Sequence, residues 1–104
     1  SLNNLAALYR SQGRYEQADP LLVQALELRQ ELLGEKHPNT IATQNNLEYL
    51  RFEMLIHQLI SNPQFQPILE AWNAPTETKA FMEQLNSDPQ LQQNVQEFFQ
   101  NLQQ

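Results

Sequence analysis

Glu53, His57 and Ser61 fall at i, i+4 and i+8, so a helix through them would set a carboxylate, an imidazole and a hydroxyl on one face. Those are the residue types of a nucleophile with its base and orienting acid. Such a set also needs an oxyanion hole, built from a strained turn or a glycine-rich loop. The chain has only two Gly, and neither lies near this stretch. His37 and His57 are the only histidines and there is no Cys, so no ligand spacing suits zinc. No glycine-rich loop is present to cradle phosphate. His37, before Pro38, reads as a loop-packing residue, and Glu27, Glu31, Glu48 and Arg51 read as surface charges. The expectation is a non-catalytic chain that holds no cofactor and no metal.

Composition points the same way. Leu, Ala, Gln and Glu dominate the 104 residues, Val is scarce, and no long stretch alternates with period two. That pattern predicts an all-α fold. The net charge is −6, divided as −2 over residues 1–60 and −4 over 61–104. Binding to nucleic acid or an anionic membrane calls for clustered Lys and Arg, so neither is expected as a partner. No apolar run has the length of a membrane span and no signal peptide is visible, which makes the cytoplasm the default location. Ser1 is not an initiator Met and the pattern starts abruptly, so the sequence reads as a piece of a longer protein.

The elements that must position any site repeat. Ser1-Leu2-Asn3-Asn4-Leu5-Ala6-Ala7-Leu8 returns 42 residues later as Thr43-Gln44-Asn45-Asn46-Leu47-Glu48-Tyr49-Leu50. A period in this range is the mark of a stacked helical repeat. A first helix is predicted from Leu2 to Gln12, with Leu2, Leu5, Ala6 and Tyr9 as its apolar stripe and Gly13 as its stop. A second is predicted from Tyr15 to Leu33. Its stripe is Ala18, Leu22, Ala25, Leu28 and Leu32, flanked by Leu21. Pro20 should bend it or remove one backbone bond, and Gly34 ends it. Asn39 or Thr40 can cap a third helix from Ile41 to about Asn62.

Residues 61–104 differ. About a third of them are Gln or Asn, yet apolar stripes persist: Phe65, Ile68, Leu69 and Trp72; Phe81, Met82 and Leu85; Leu91, Val95, Phe98, Phe99 and Leu102. Asn62-Pro63 and Asp88-Pro89 are helix starts, with a capping side chain followed by Pro at the first helical position. Helices are predicted over Pro63–Trp72, Pro75–Asn86 and Pro89–Leu102, the first disturbed by Pro67. The expected organisation is a repeat segment over 1–60 and a helical cap over 61–104.

Leu5-Ala6, Tyr9, Gly13, Tyr15, Ala18, Leu22 and Ala25 have the spacing of large and small residues of the tetratricopeptide repeat, which the segment resembles. Ser11-Gln12-Gly13-Arg14-Tyr15, and Leu33-Gly34 followed by His37-Pro38, are similar to the kinesin-light-chain type, as is the long period. The pattern departs after Leu50, where Arg51-Phe52-Glu53-Met54-Leu55-Ile56 carries no Gly turn. The resemblance thus implies the C-terminal end of a longer α-solenoid array, closed by a helical cap. It also implies a peptide or protein ligand along a concave face of A-type helices. Asn3, Ala7, Arg10 and Ser11 would show on that face, followed by Asn45, Tyr49 and Phe52. Asn3 and Asn45 would hydrogen-bond a peptide backbone, since an amide both donates and accepts. Tyr49 and Phe52, like Trp72, Phe98 and Phe99, are expected first as core, with the tail closing over the groove. Two alternatives stand beside this reading. One is a structural cap or self-association element, using an N-terminal edge at Leu2, Leu5 and Leu21. The other is a client-binding tail, which faintly resembles the Asp-Pro-rich helical domain of co-chaperones.

Overall fold

The structure, a computed structural model, describes residues 1–103. It is all-α: among the described residues there are six α-helices, a 3₁₀ turn at Pro63–Phe65 and no strand. The helices are α1 (Leu2–Ser11), α2 (Tyr15–Leu33), α3 (Pro38–Ser61), α4 (Gln66–Ala71), α5 (Thr78–Ser87) and α6 (Pro89–Leu102). They form two compact units, Ser1–Met54 and Leu55–Gln104. The division falls inside α3 rather than at its end.

In the first unit α1 and α2 form a hairpin. Gly13 has φ 74, in the left-handed region. The Arg14 N–H bonds Tyr9 O at 2.9 Å and the Gly13 N–H bonds Arg10 O at 3.0 Å, which satisfies the last carbonyls of α1. Across the hairpin Ala6, Ala18 and Leu22 are buried, joined in one core by Leu47 and Leu50 of α3. The alanines let the helix backbones approach. Helix α2 runs through Pro20 without interruption. It ends where Gly34 takes φ 87 and ψ 161, a conformation essentially reserved for glycine. Its predicted stripe is buried only as far as Ala25; Leu28 and Leu32 are exposed.

Helix α3 begins at Pro38, ahead of the expected Ile41. His37 explains this, because its Nδ1 accepts the Asn39 N–H at 3.1 Å and caps the helix that Pro38 opens. Thr40, expected as a possible cap, is instead buried, and its hydroxyl donates to Arg29 O in α2 at 3.3 Å. Arg51, expected as a plain surface charge, is held by both oxygens of Asp19 on α2 at 2.9 and 3.3 Å.

The second unit has its own core: Ile56 and Ile60 at the end of α3, Phe65, Leu69, Phe81, Met82, Leu91 and Val95. Trp72, Phe98 and Phe99 pack against it, as the sequence suggests. Phe98 lies edge-on to Phe65, with centroids 4.9 Å apart, and to Phe99 at 5.8 Å. Two prolines split the predicted Pro63–Trp72 helix: Pro63 opens the 3₁₀ turn, capped by Asn62, and Pro67 sits in the first turn of α4. Asn73, with φ 54, ends α4 in the manner of Gly13; Ala74 N–H bonds Leu69 O and Asn73 N–H bonds Glu70 O, each at 3.0 Å. Helix α5 starts at Thr78 rather than Pro75. Helix α6 has the predicted bounds, and Asp88 Oδ1 accepts from the N–H groups of Gln90 and Leu91 at 3.0 and 3.2 Å.

Candidate functional site

Asn3, Ala7 and Arg10 recur at i, i+4 and i+7, which places them on one face of α1. Asn46, Leu50 and Glu53 have the same spacing on α3. Between these rows, within Ser1–Met54, lies a cleft of about 110 Å³ lined by Asn3, Ala6, Ala7, Arg10, Leu22, Asn46 and Leu50. Ala6, Leu22 and Leu50 are buried residues of the first core, so the cleft has an apolar floor. Ala7 has no side chain beyond Cβ, which leaves the space open.

The polar groups of the cleft are few. Arg10 donates from Nε to Glu53 Oε1 at 2.8 Å and from Nη2 to Glu53 Oε2 at 3.2 Å. This is a bidentate, charge-assisted pair. The Arg10 guanidinium is raised above its ordinary pKa, chiefly by that hydrogen bond; burial opposes the shift, and the Glu53 charge adds to it. Arg10 also lies over the Tyr49 ring, with Cζ 4.8 Å from the centroid. Asn3 Oδ1 is buried and accepts no hydrogen bond. An amide oxygen without a donor in such a place is unfavourable.

Residues 1–39 match the family model described as Tetratricopeptide repeat. This segment carries a tetratricopeptide repeat. The match spans α1, α2 and the loop into α3, so Asn3, Ala7 and Arg10 belong to the repeat itself. No solved structure matches the chain.

Of the residues singled out from the sequence, Asn3, Ala7 and Arg10 line the cleft together. Asn45 is exposed and does not line it; the other asparagine of its doublet, Asn46, does. Tyr49 reaches the cleft's edge through Arg10. Phe52 is 41% exposed and Tyr49 48%, so neither is a core residue as expected. Ser11 turns its hydroxyl back to Leu8 O at 2.7 Å. Two residues of the site were not among the groove candidates: Asn46, read only as part of the repeated doublet, and Glu53, read only in the Glu53-His57-Ser61 row. Glu53 is buried. Its signal in the sequence was its replacement of Ser11 in the repeat, which puts a carboxylate where the first copy has a hydroxyl.

The Glu53-His57-Ser61 row does not form a catalytic set. Both Glu53 oxygens are taken by Arg10, and His57 Nδ1 lies 3.2 Å from Thr78 Oγ1. Among the described residues no group of three or more His, Cys, Asp or Glu could hold a metal ion. No helix is long and apolar enough to cross a membrane, among those residues. A depression along α2, bordered by Gln24, Glu27, Leu28, Gln30, Glu31 and Glu35, is an open surface.

Proposed function

We propose that the repeat segment is a non-catalytic interaction module that takes an extended peptide, part of a partner protein, along the α1–α3 cleft. The observation that carries this is a cleft with an apolar floor that has the side-chain amides of Asn3 and Asn46 in its lining. A side-chain amide has two donor hydrogens, and Asn3 Nδ2 can offer one to a peptide carbonyl. Asn46 supplies a second amide. Tyr49, Phe52 and Asn45 would extend the contact along α3, where they are exposed. The likeness to the kinesin-light-chain type, and a place at the C-terminal end of a cytoplasmic array, belong to this proposal. So does the division of labour in which residues 61–104 act as a cap.

Selection from a displayed random peptide library on the full chain tests the reading. Peptides recovered by the wild-type chain should bind at least ~10-fold more weakly to Asn3→Ala, a loss of about 1.4 kcal/mol. Equal binding by the variant would remove the cleft from the account.

A second reading is favoured by the other side of α1. Leu5 and Leu8 are 40% and 52% exposed, whereas their counterparts one repeat later, Leu47 and Leu50, are 6% and 0% exposed. The later pair is covered by the preceding hairpin. In this reading the segment is a structural element that self-associates through the N-terminal edge. Light scattering over a concentration series decides it: a mass that rises with concentration and falls back in Leu8→Glu supports it, and a strict monomer contradicts it.

A further inference from the structure

Helix α2 outruns the helix it packs with: it has 19 residues and α1 has 10. Ala18, Leu21, Ala25, Leu28 and Leu32 follow one another at alternating spacings of three and four, the row that one helix offers to another. The row is covered at Ala18 and Ala25, which are 0% and 3% exposed, and open at Leu28 and Leu32, which are 44% and 79% exposed. The open end is edged with acid. Glu27, Glu31 and Glu35 border a depression together with Leu28 and the uncharged Gln24 and Gln30. Among the described residues the salt bridges are Arg10–Glu53 and Arg51–Asp19, so none of these three carboxylates is paired. Arg29 donates instead to Asn39 O at 3.0 Å, and Lys36, just past the helix, is exposed. The last turn of α2 carries no basic residue, although the carbonyl end of a helix favours cations and disfavours carboxylates. Exposed leucine and unmatched negative charge thus coincide at one helix end.

We infer that the open end of α2 docks a cationic amphipathic helix of a partner protein. Its apolar side chains cover Leu28 and Leu32, and its Lys or Arg face Glu31 and Glu35, with Glu27 adding to the field. The three-four row calls for a helix, and the unpaired carboxylates set the sign of its charge. A second copy of the chain is a poor occupant. It carries 12 Asp and Glu against 6 Lys and Arg. Arg10 and Arg51 are already paired, and two copies at −6 each repel. The surface shares no lining residue with the α1–α3 cleft and does not depend on it.

The test uses three synthetic peptides on the full chain, followed in ¹H–¹⁵N spectra. One is an amphipathic helix of Leu and Lys, one has the same apolar face with Glu for Lys, and one is a scrambled Leu/Lys peptide with no apolar face. The amphipathic Leu/Lys peptide should give saturable shifts at residues 24–35 and bind at least ~10-fold more tightly than either of the others. Its binding should weaken as salt rises. Leu32→Gln, at a position 79% exposed and so not needed by the fold, should weaken it by about 10-fold. Glu31→Gln should weaken it less and reduce the salt dependence. Equal binding by the scrambled peptide would show attraction to an acidic chain without a docked helix, and would overturn the inference. Equal binding by the Leu/Glu peptide would overturn the charge match. Shifts confined to other residues, or no binding at all, would overturn the site. Shifts at residues 24–35 that grow with chain concentration in the absence of peptide would make a second copy the occupant, against the inference.

Discussion

Removing one partner of the Arg10–Glu53 pair should have unequal effects depending on which partner goes. The Glu53 side chain is 9% exposed and that of Arg10 44%. Arg10→Met keeps the aliphatic stem but leaves a buried carboxylate without a donor, and a buried charged group stripped of its partner is the worse case. Glu53→Gln leaves a guanidinium that water can reach, with one amide oxygen still able to accept from it. A hydrogen bond to a charged group contributes about 1.5–3 kcal/mol, but solvent screening at an exposed end draws pairs toward 1 kcal/mol or less. The buried end therefore governs the first substitution and the exposed end the second. Arg10→Met should destabilise the chain by about 2–3 kcal/mol and Glu53→Gln by about 1 kcal/mol. The double variant should fall short of their sum by about 1 kcal/mol, because contacting residues do not add. Urea unfolding followed by far-UV circular dichroism gives all four free energies. Equal losses, a larger loss from Glu53→Gln, or strict additivity would refute the reasoning.

Three further outcomes follow from the helix ends. An added Cβ at Gly34 meets nothing within 4 Å, but the backbone has φ 87 and ψ 161. Gly34→Ala should therefore cost about 1–3 kcal/mol through strain alone, measurable by the same unfolding; an unchanged midpoint would count against it. His37→Ala should cost about 1 kcal/mol by removing the cap of α3, and His37→Asn should recover most of it. Asp88 has a pKa below its ordinary value, first through the Leu91 N–H and then through the Gln84 side chain. Its folded carboxylate is the more acidic form, so its stabilisation is complete above the unfolded value near pH 4 and is lost as pH falls through the lower folded value. The acid limb of a stability–pH profile should flatten in Asp88→Asn; an unaltered limb would show that the cap contributes nothing there.

Helix ends were legible wherever one residue type answers one backbone need. Gly13 and Gly34 supply positive φ, and Asp88-Pro89 supplies a cap and a bond-free first position, so α2 and α6 have the predicted bounds. The ends that were missed use residues with several roles. The His37 imidazole can cap, pack or titrate, and only its position against Asn39 N–H makes it a cap. Asn73 takes the left-handed conformation that glycine more often signals. For the site, Asn3, Ala7 and Arg10 were readable because their spacing lies within one helix. Across helices the repeat misleads: it matches Asn3 with Asn45, its equivalent, but the cleft pairs Asn3 with Asn46. Equivalence by repeat says which residues share an environment in successive copies, whereas packing register decides which ones meet. Glu53 was hidden for the same reason, since nothing within α3 distinguishes a carboxylate bound to Arg10 from one in water. Tyr49 and Phe52 were expected in a core because of their size, and size alone does not decide burial when a neighbouring surface is open.

The most direct test of peptide binding in the cleft is a ¹H–¹⁵N titration of the full chain with the tightest peptide from the library selection. Saturable shifts are expected, concentrated at the side-chain amides of Asn3 and Asn46 and the backbone of Ala7 and Arg10, with contacts from the peptide to Asn3. Saturable shifts confined to residues 55–103, with Asn3 and Asn46 unmoved, would contradict peptide binding in the cleft.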